Sequence, residues 1–463
     1  MTEVGTNGHP LRVAIIGSGP AGFYTAEHLL RRGEVATEID IFDRLPTPYG
    51  LVRGGVAPDH PKIKSVTRIY DTIAASPHVR LYGNVEYGKD VGLQDLKTHY
   101  HQIVFATGAE TDRRLNIPGI DLTGSHSATE FVAWYNGHPY YRDRRFDLSQ
   151  ERAAVIGVGN VAVDVVRMLC RTAEELRGTD IADYALEELA ESRIREVFIL
   201  GRRGPAQAAF TNPEIKELGE LAAADVCALR EEMELGDGTF DESQDRSTAR
   251  KVALLKEFAA RTSTGKPRKL TLRFLVSPVE LLSDECGHVR SMRLVRNVLY
   301  KTEAGTVSSR PTDRYEEIPV GLVFRSIGYL GVPLADVPFN KDWGVIHNRR
   351  GRVIAPESRE HVVGLYTVGW IKRGPSGVIG TNKPDAAETV DCMAEDFATG
   401  ALLHPPHPAP ESAAELVQEN QPDHFTYKDW LRLDEIEVSQ GRAHGRPRVK
   451  FTRVEEMLAA IGR

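Results

Sequence analysis

Gly17, Gly19 and Gly22, with Ser18, Pro20 and Ala21 between them, have the spacing needed to hold a pyrophosphate. Gly17 permits a tight turn, Gly19 removes a side chain where phosphate must approach, and Gly22 lets helix and strand pack closely. Asp43 follows 21 residues beyond Gly22, placed to accept hydrogen bonds from both ribose hydroxyls, and its charge repels a 2′-phosphate. Gly157, Gly159 and Ala162, with Asn160 and Val161 in the turn, repeat the motif. There the matching charge has the opposite sign. Arg202 and Arg203 suit a 2′-phosphate by charge and by bidentate geometry. One site thus reads as selecting FAD or NAD, the other NADP.

The elements around these residues must place them. Residues 12–16 form a short apolar strand, 23–32 a helix, and 38–42 a second strand ending at Asp43. Residues 102–106 are another strand, closing on Thr107-Gly108-Ala109. Arg113 and Arg114 follow, with Arg113 expected on the cofactor side, and residues 117–119 make a crossover out of the first domain. In the second unit, 153–156 leads into the turn, 161–171 is its helix, and 196–200 is the strand before the arginines. Residues 172–193 insert extra, mostly helical sequence. Residues 269–276, 289–295 and 298–301 read as antiparallel strands covering this domain, and 321–326 as a further strand. The polar stretch 231–268 reads as exposed helix and loop. Asn212 reads as a helix cap with Pro213 in the first turn, where Glu214 favours the helix dipole.

Three other stretches bear on chemistry. Residues 44–62, with Pro46, Pro48, Pro58 and Pro61 and three glycines, form a stiff irregular loop; His60 is its titratable group near neutral pH, although a loop histidine is more often structural. Lys62, Lys64 and Arg68 are expected on one helix as a small basic face. Residues 364–370 form a strand running into Trp370, and Gly377, Val378 and Ile379 precede a helix over 385–397. Trp370 offers an aromatic face to a flavin, and a helix N-terminus near its N1–O2 edge stabilises the charge of the reduced ring.

Composition bounds the rest. The 463 residues allow two or three domains, and a net charge of −7 gives no nucleic-acid signature. No apolar run reaches the ~20 residues of a membrane span. Residues 1–10 lack a basic and an apolar region, so no secretory signal is expected. Cys170, Cys227, Cys286 and Cys392 lie far apart without C-x-x-C, against a metal, iron–sulfur or redox-disulfide site; the expected location is cytoplasmic. The expected fold is α/β, three-layered, with two dinucleotide-binding (Rossmann-like) domains. The FAD domain comprises residues 1–110 and 330–463, and the NADP domain, 111–329, is inserted into it.

The phrases GSGPAGFYTAEHLL, LPTPYGLVRGGVAPDHPKIK, VIGVGNVAVDVVR, GRRGPAQAAFTNPE and GWIKRGPSGVIGTNKPDA resemble the bacterial form of the adrenodoxin-reductase type of NADPH–ferredoxin reductase. The likeness runs over nearly the whole chain, including HGRPRVK. It implies FAD contacts from Ala21, Asp43, Leu51 and Val85, with Trp370 and Gly377–Ile379 at the flavin ring. It implies NADP contacts from Asn160, Val161, Arg202, Arg203 and Glu214, with Gly377 touching both cofactors. It further implies that His60 and Glu214 lie together near the nicotinamide, orienting it or relaying a proton. Asp43 departs from the family, which often has Glu there. The implied reaction is hydride transfer from NADPH to FAD, then single electrons to a separate ferredoxin, in a monomer or weak dimer. A flavin monooxygenase and a non-catalytic FAD- and NADPH-binding sensor are the alternatives.

Overall fold

The computed structural model describes residues 4–233 and 245–463. The chain divides into two compact units: Met1–Thr111 with Tyr329–Arg463, and Asp112–Gly328. Part of the stretch 231–268 therefore lies outside the described residues.

The first unit is built on a seven-stranded sheet. Leu11–Ile16 pairs in parallel with Thr37–Phe42 on one side and Gln102–Phe105 on the other. Val79–Tyr82 extends the sheet beyond Thr37–Phe42, and His361–Thr367, from the far end of the chain, pairs in parallel with Gln102–Phe105. Both faces are covered, so the strands are apolar at successive positions. Val13 and Ile15 enter one core, shared with Ala386, Val390 and Met393 of the helix Asn382–Thr399. Ala14 and Ile16 enter the other, with Leu93 and Leu96. The helix Pro20–Arg32 packs along Asn382–Thr399. The glycine turn between Leu11–Ile16 and Pro20–Arg32 is thus held by sequence from both chain ends.

The second unit has a six-stranded, all-parallel sheet. Its centre is Arg152–Ile156, flanked by Leu322–Arg325 and Glu196–Leu200. Ala153 and Val155 face one core, Ala154 and Ile156 the other. Val276–Ser283, Val289–Lys301 and Val307–Pro319 form an antiparallel sheet whose Met292, Leu294 and Ile318 close that second face.

Here one sequence expectation is corrected. Residues 269–273 belong to Arg268–Arg273, a parallel strand between Glu196–Leu200 and Ala224–Ala228. The antiparallel sheet begins only at Val276. The basic face is also divided: Lys62 and Lys64 sit on the single turn Pro61–Lys64, and Arg68 on Thr67–Ala74.

Candidate functional site

In the first turn, Gly17 has φ +114°, and a Cβ there would lie 2.5 Å from the Ala106 carbonyl oxygen. A Cβ on Gly22 would lie 2.1 Å from the Gly17 carbonyl oxygen. Gly19 is different: its Cβ would meet only the Gly50 Cα, at 4.0 Å. Two glycines are required by neighbouring backbone, and the middle one leaves a clear face at the helix start. Gly19 precedes Pro20 as the helix cap, with no capping side chain, so N–H groups of the first turn remain available to an anion.

Asp43 closes this site. Its Oδ2 accepts from the Ser18 N–H (2.9 Å) and the Ser18 hydroxyl (2.5 Å), and Oδ1 accepts from the Leu45 N–H (2.9 Å). Three of a carboxylate's roughly four acceptor positions are in use. In this arrangement capacity remains for one ribose hydroxyl, not the two expected from sequence. Val85 is buried and donates its N–H to the Asp43 carbonyl (2.8 Å).

The loop after Asp43 folds over the turn. Tyr49 (φ +84°) donates its N–H to the Ser18 carbonyl at 3.0 Å, and a Cβ on Gly50 (φ +49°) would come 3.0 Å from the Gly19 Cα. Tyr49 donates its hydroxyl to Asp71 and accepts from the Trp430 indole N–H (3.0 Å). Burial, then the Asp71 hydrogen bond, push the Tyr49 phenol far above its ordinary range. On the helical turn Leu51–Gly54, Leu51 is exposed and Arg53 makes a paired contact with Glu437 (2.8 and 2.5 Å). Glu437 is fully buried; burial alone would raise it, but Arg53 and Arg448 hold its carboxyl below the usual range. Sequence reasoning missed this clamp. Arg53 and Glu437 lie 384 residues apart, and Arg448 stood out only within the phrase HGRPRVK. His60, half-buried, occupies the position before Pro61–Lys64 in the same loop, without a side-chain capping bond.

The far end of the chain completes the first unit's site. Gly369 (φ +76°) follows His361–Thr367, and a Cβ there would lie 2.6 Å from the Ala21 Cβ. Its N–H donates to Asp385 (2.6 Å), which Lys372 also contacts at 3.1 Å. Trp370 lies with its ring centroid 5.4 Å from that of Tyr329 and donates its indole N–H to the Ser376 carbonyl (3.2 Å). Gly377 has φ +81°, and Thr381 occupies the space its side chain would take. Val378 is exposed, and Ile379 opens the short turn Ile379–Thr381.

The second turn is laid out alike. Gly157 (φ +131°) would place a Cβ 2.0 Å from the Ser326 carbonyl oxygen, whereas Gly159 has nothing within 4 Å. Asn160 and Val161 begin the helix Asn160–Cys170, again without a capping side chain, and Asn160 Oδ1 accepts from the Thr211 N–H (2.9 Å). Arg202 is exposed and Arg203 half-buried, and neither guanidinium pairs with any described residue. Two unpaired cations beside a glycine turn fit a nucleotide carrying an extra phosphate. Arg113 donates its N–H to the Gly328 carbonyl (2.9 Å).

Glu214 lies in the first turn of Asn212–Leu218 and accepts from Arg167 (3.3 Å), a wholly buried guanidinium that also binds Asp164 (2.7 Å). Asn212 is not the cap expected from sequence. Thr211 occupies that position, and the Asn212 amide donates to Ser247. His60 is carried by the first unit and Glu214 by the second.

The nucleotide-binding arrangement is matched by comparison with known proteins. A pyridine nucleotide-disulphide oxidoreductase family model matches residues 11–199. NADPH-ferredoxin reductase FprA of Mycobacterium leprae is 43% identical over 459 residues, covering 97% of this chain and 98% of that protein. The chain belongs to the NADPH–ferredoxin reductase family of the adrenodoxin-reductase type. It is therefore an oxidoreductase. Mitochondrial NADPH:adrenodoxin oxidoreductase of Arabidopsis thaliana is 39% identical, covering 97% of this chain and 95% of that one. The structure of Mycobacterium tuberculosis FprA in complex with NADPH matches with a TM-score of 0.91 at 41% identity, covering 98% and 100% of the two chains. The disulphide part of the family model's name has no counterpart in motif here, because the four cysteines include no C-x-x-C.

Proposed function

We propose that this chain is an FAD-dependent NADPH–ferredoxin oxidoreductase in which the first unit holds FAD and the second NADPH. The observation that carries the reading is the contrast between two similar glycine turns, one closed by Asp43 and one followed by Arg202 and Arg203, unpaired among the described residues. Bound FAD supplies an N5 that takes hydride from C4 of NADPH and passes electrons singly to an outside iron–sulfur acceptor.

The protein's part is binding and orientation. Gly17, Gly19, Pro20, Ala21 and Gly22 receive the FAD pyrophosphate, Asp43 one ribose hydroxyl, and Leu51 and Val85 line the nucleotide. Trp370 and Gly377–Ile379 serve the flavin ring. Gly157, Gly159, Asn160 and Val161 receive the NADPH pyrophosphate, with Arg113 on the cofactor side, and Arg202 and Arg203 hold the 2′-phosphate. His60 and Glu214 orient the nicotinamide or relay a proton; Arg167 fixes the Glu214 carboxylate for that role.

A ferredoxin is the acceptor. Lys62 and Arg68, without ion pairs to described residues, supply a basic face for it. A second basic stretch, residues 349–352 (RRGR), is weaker, because Arg352 is held by Asp396 and Glu395 (both 2.8 Å). Charge-neutral replacement of Lys62 and Arg68 lowers turnover with ferredoxin and raises its salt sensitivity, leaving a small artificial acceptor unaffected. Equal loss with both acceptors rejects the patch.

Among the described residues no helix is long and apolar enough to cross a membrane. All four cysteines are free, in keeping with a reducing cytoplasm. A monomer or weak dimer is expected on size-exclusion chromatography. The deciding experiment is steady-state cytochrome c reduction by NADPH, with and without ferredoxins. Strong stimulation by ferredoxin supports the reading; NADPH use coupled to one organic substrate indicates a monooxygenase instead, and flavin bleaching without turnover a sensor.

A further inference from the structure

We infer that Asn297 is a positioning residue for 2′-phosphate selection, an inference that rests on Arg202 and Arg203 being the 2′-phosphate ligands. The turn after Glu196–Leu200 is tied down carbonyl by carbonyl. The Gly201 carbonyl accepts from the Val276 N–H (3.1 Å), and the Arg203 carbonyl from the Leu275 N–H (3.1 Å). Between them, the Arg202 carbonyl accepts from a side chain, the Asn297 amide Nδ2, at 2.8 Å. A carbonyl can only accept, which fixes the orientation of the amide. The same Nδ2 donates to Ser277 Oγ (2.8 Å), so both of its protons are engaged.

Asn297 is itself held in place. It lies at a bulge in the pairing of Val289–Lys301 with Val307–Pro319, where the register shifts between Val295 and Asn297. Its backbone N–H donates to the Leu275 carbonyl (2.7 Å). Leu275 has φ +55°, a left-handed conformation costly for a residue with a side chain. That conformation accompanies a bond from its N–H to Arg203 and one to its carbonyl from Asn297. The side chain of Asn297 is nearly inaccessible, at 7% exposure, so it is no surface contact for a ligand.

The consequence is for the two arginines. Their guanidinium groups have no partner among the described residues to hold them, so their aim depends on the backbone that carries them. Asn297 sets that backbone at Arg202 without touching the nucleotide. Leucine at position 297 keeps the number and branching of the side-chain heavy atoms but removes both donors and orphans the Arg202 carbonyl.

The test compares two fragments that differ only in the 2′-phosphate, titrated calorimetrically into the FAD-loaded protein. In the wild type, 2′,5′-ADP binds more tightly than 5′-ADP. Asn297→Leu is expected to weaken 2′,5′-ADP about tenfold while 5′-ADP changes less than about twofold. Ser277→Ala, which leaves the bond to Arg202, retains the preference. Arg202→Ala with Arg203→Ala must abolish it; if it does not, the reading of the arginines fails. If that double variant abolishes the preference and Asn297→Leu leaves it intact, or weakens both fragments equally, the inference about Asn297 alone is overturned. Should Asn297→Leu not fold, Asn297→Ser, with a shorter donor, must still show a selective loss of about threefold, and an unchanged ratio overturns the inference.

Discussion

After Leu11–Ile16 the third small residue of the turn is Gly22, whose Cβ would fall 2.1 Å from the Gly17 carbonyl oxygen. After Arg152–Ile156 the equivalent is Ala162, whose Cβ is accommodated in a fully buried position. The first turn is therefore the tighter of two otherwise similar frames. Both seal the first glycine against a neighbouring strand's carbonyl, Ala106 in one and Ser326 in the other, and both leave the second glycine clear. They differ again at the end of the next strand. Asp43 is bound into its own turn through Ser18 and Leu45, whereas Arg202 and Arg203 have their backbone fixed and their side chains unpaired among the described residues. A carboxylate turned back on the backbone has limited acceptor capacity left, and two unpaired guanidinium groups are ready for an anion. Similar frames thus discriminate by charge and by how much of that charge is already in use.

The largest expected effect tests the frames. Gly22→Ala forces a Cβ against backbone and should cost about 3 kcal/mol or more, with loss of bound flavin. The reciprocal Ala162→Gly should cost only about 1–2 kcal/mol, from backbone entropy and the lost burial of one methyl group. Urea unfolding and the absorbance of bound flavin compare them; equal costs would break the distinction between the turns.

Next comes the charge contrast. Arg202→Ala with Arg203→Ala should raise KM for NADPH about a hundredfold and leave NADH nearly unchanged. Asp43→Ala should leave KM for NADPH alone and weaken FAD binding about tenfold, through loss of one ribose contact and of the Ser18 anchor. Flavin release followed by fluorescence measures the second, and steady-state kinetics the first. A crossed result, with Asp43→Ala shifting the NADPH constant, would mean that the units do not divide the cofactors as proposed.

The smallest effect is shared by both units. Burial lowers His101 in the first unit to about 4, with Arg12 and His404 adding, and burial followed by Arg325 and Arg144 lowers His126 in the second to about 4. Each ring is neutral when folded, while the unfolded chain takes up a proton below about pH 6.5. Stability from these sites is therefore full above that pH and falls as pH drops toward 4. Replacing one by glutamine should flatten its share of the pH dependence of the denaturation midpoint.

Much of this was legible because it is local. Strand, glycine turn and helix are contiguous in residues 12–32 and 153–171, so period and composition locate both nucleotide turns and the charges that follow. Legibility ended where partners are remote. Residues 269–273 alternate as an antiparallel strand would, but the connection through the helix Arg246–Ala260 brings Arg268–Arg273 in parallel beside Ala224–Ala228. Ala224–Ala228 is short and built largely of small residues, and Val307–Pro319 is exposed along much of its length, so neither carries a strong apolar pattern. The helix starts one residue earlier than its local signal, with Thr211 at the cap and Asn212 inside it, its amide donating to Ser247, 35 residues away.

By itself the sequence determined that there are two nucleotide turns, that opposite charges follow them, and that the chain has the motifs of a ferredoxin reductase. Those properties reside in neighbouring residues and in charge, and need no knowledge of the distant chain. Only the tertiary structure decided how the charges are used: Asp43 partly occupied by Ser18, Glu214 held by buried Arg167, Arg53 clamped by Glu437, and Arg202 braced by Asn297. Each of those contacts joins residues 25 or more positions apart, and no local spacing announces a hydrogen bond that only the folded chain brings within 3.5 Å.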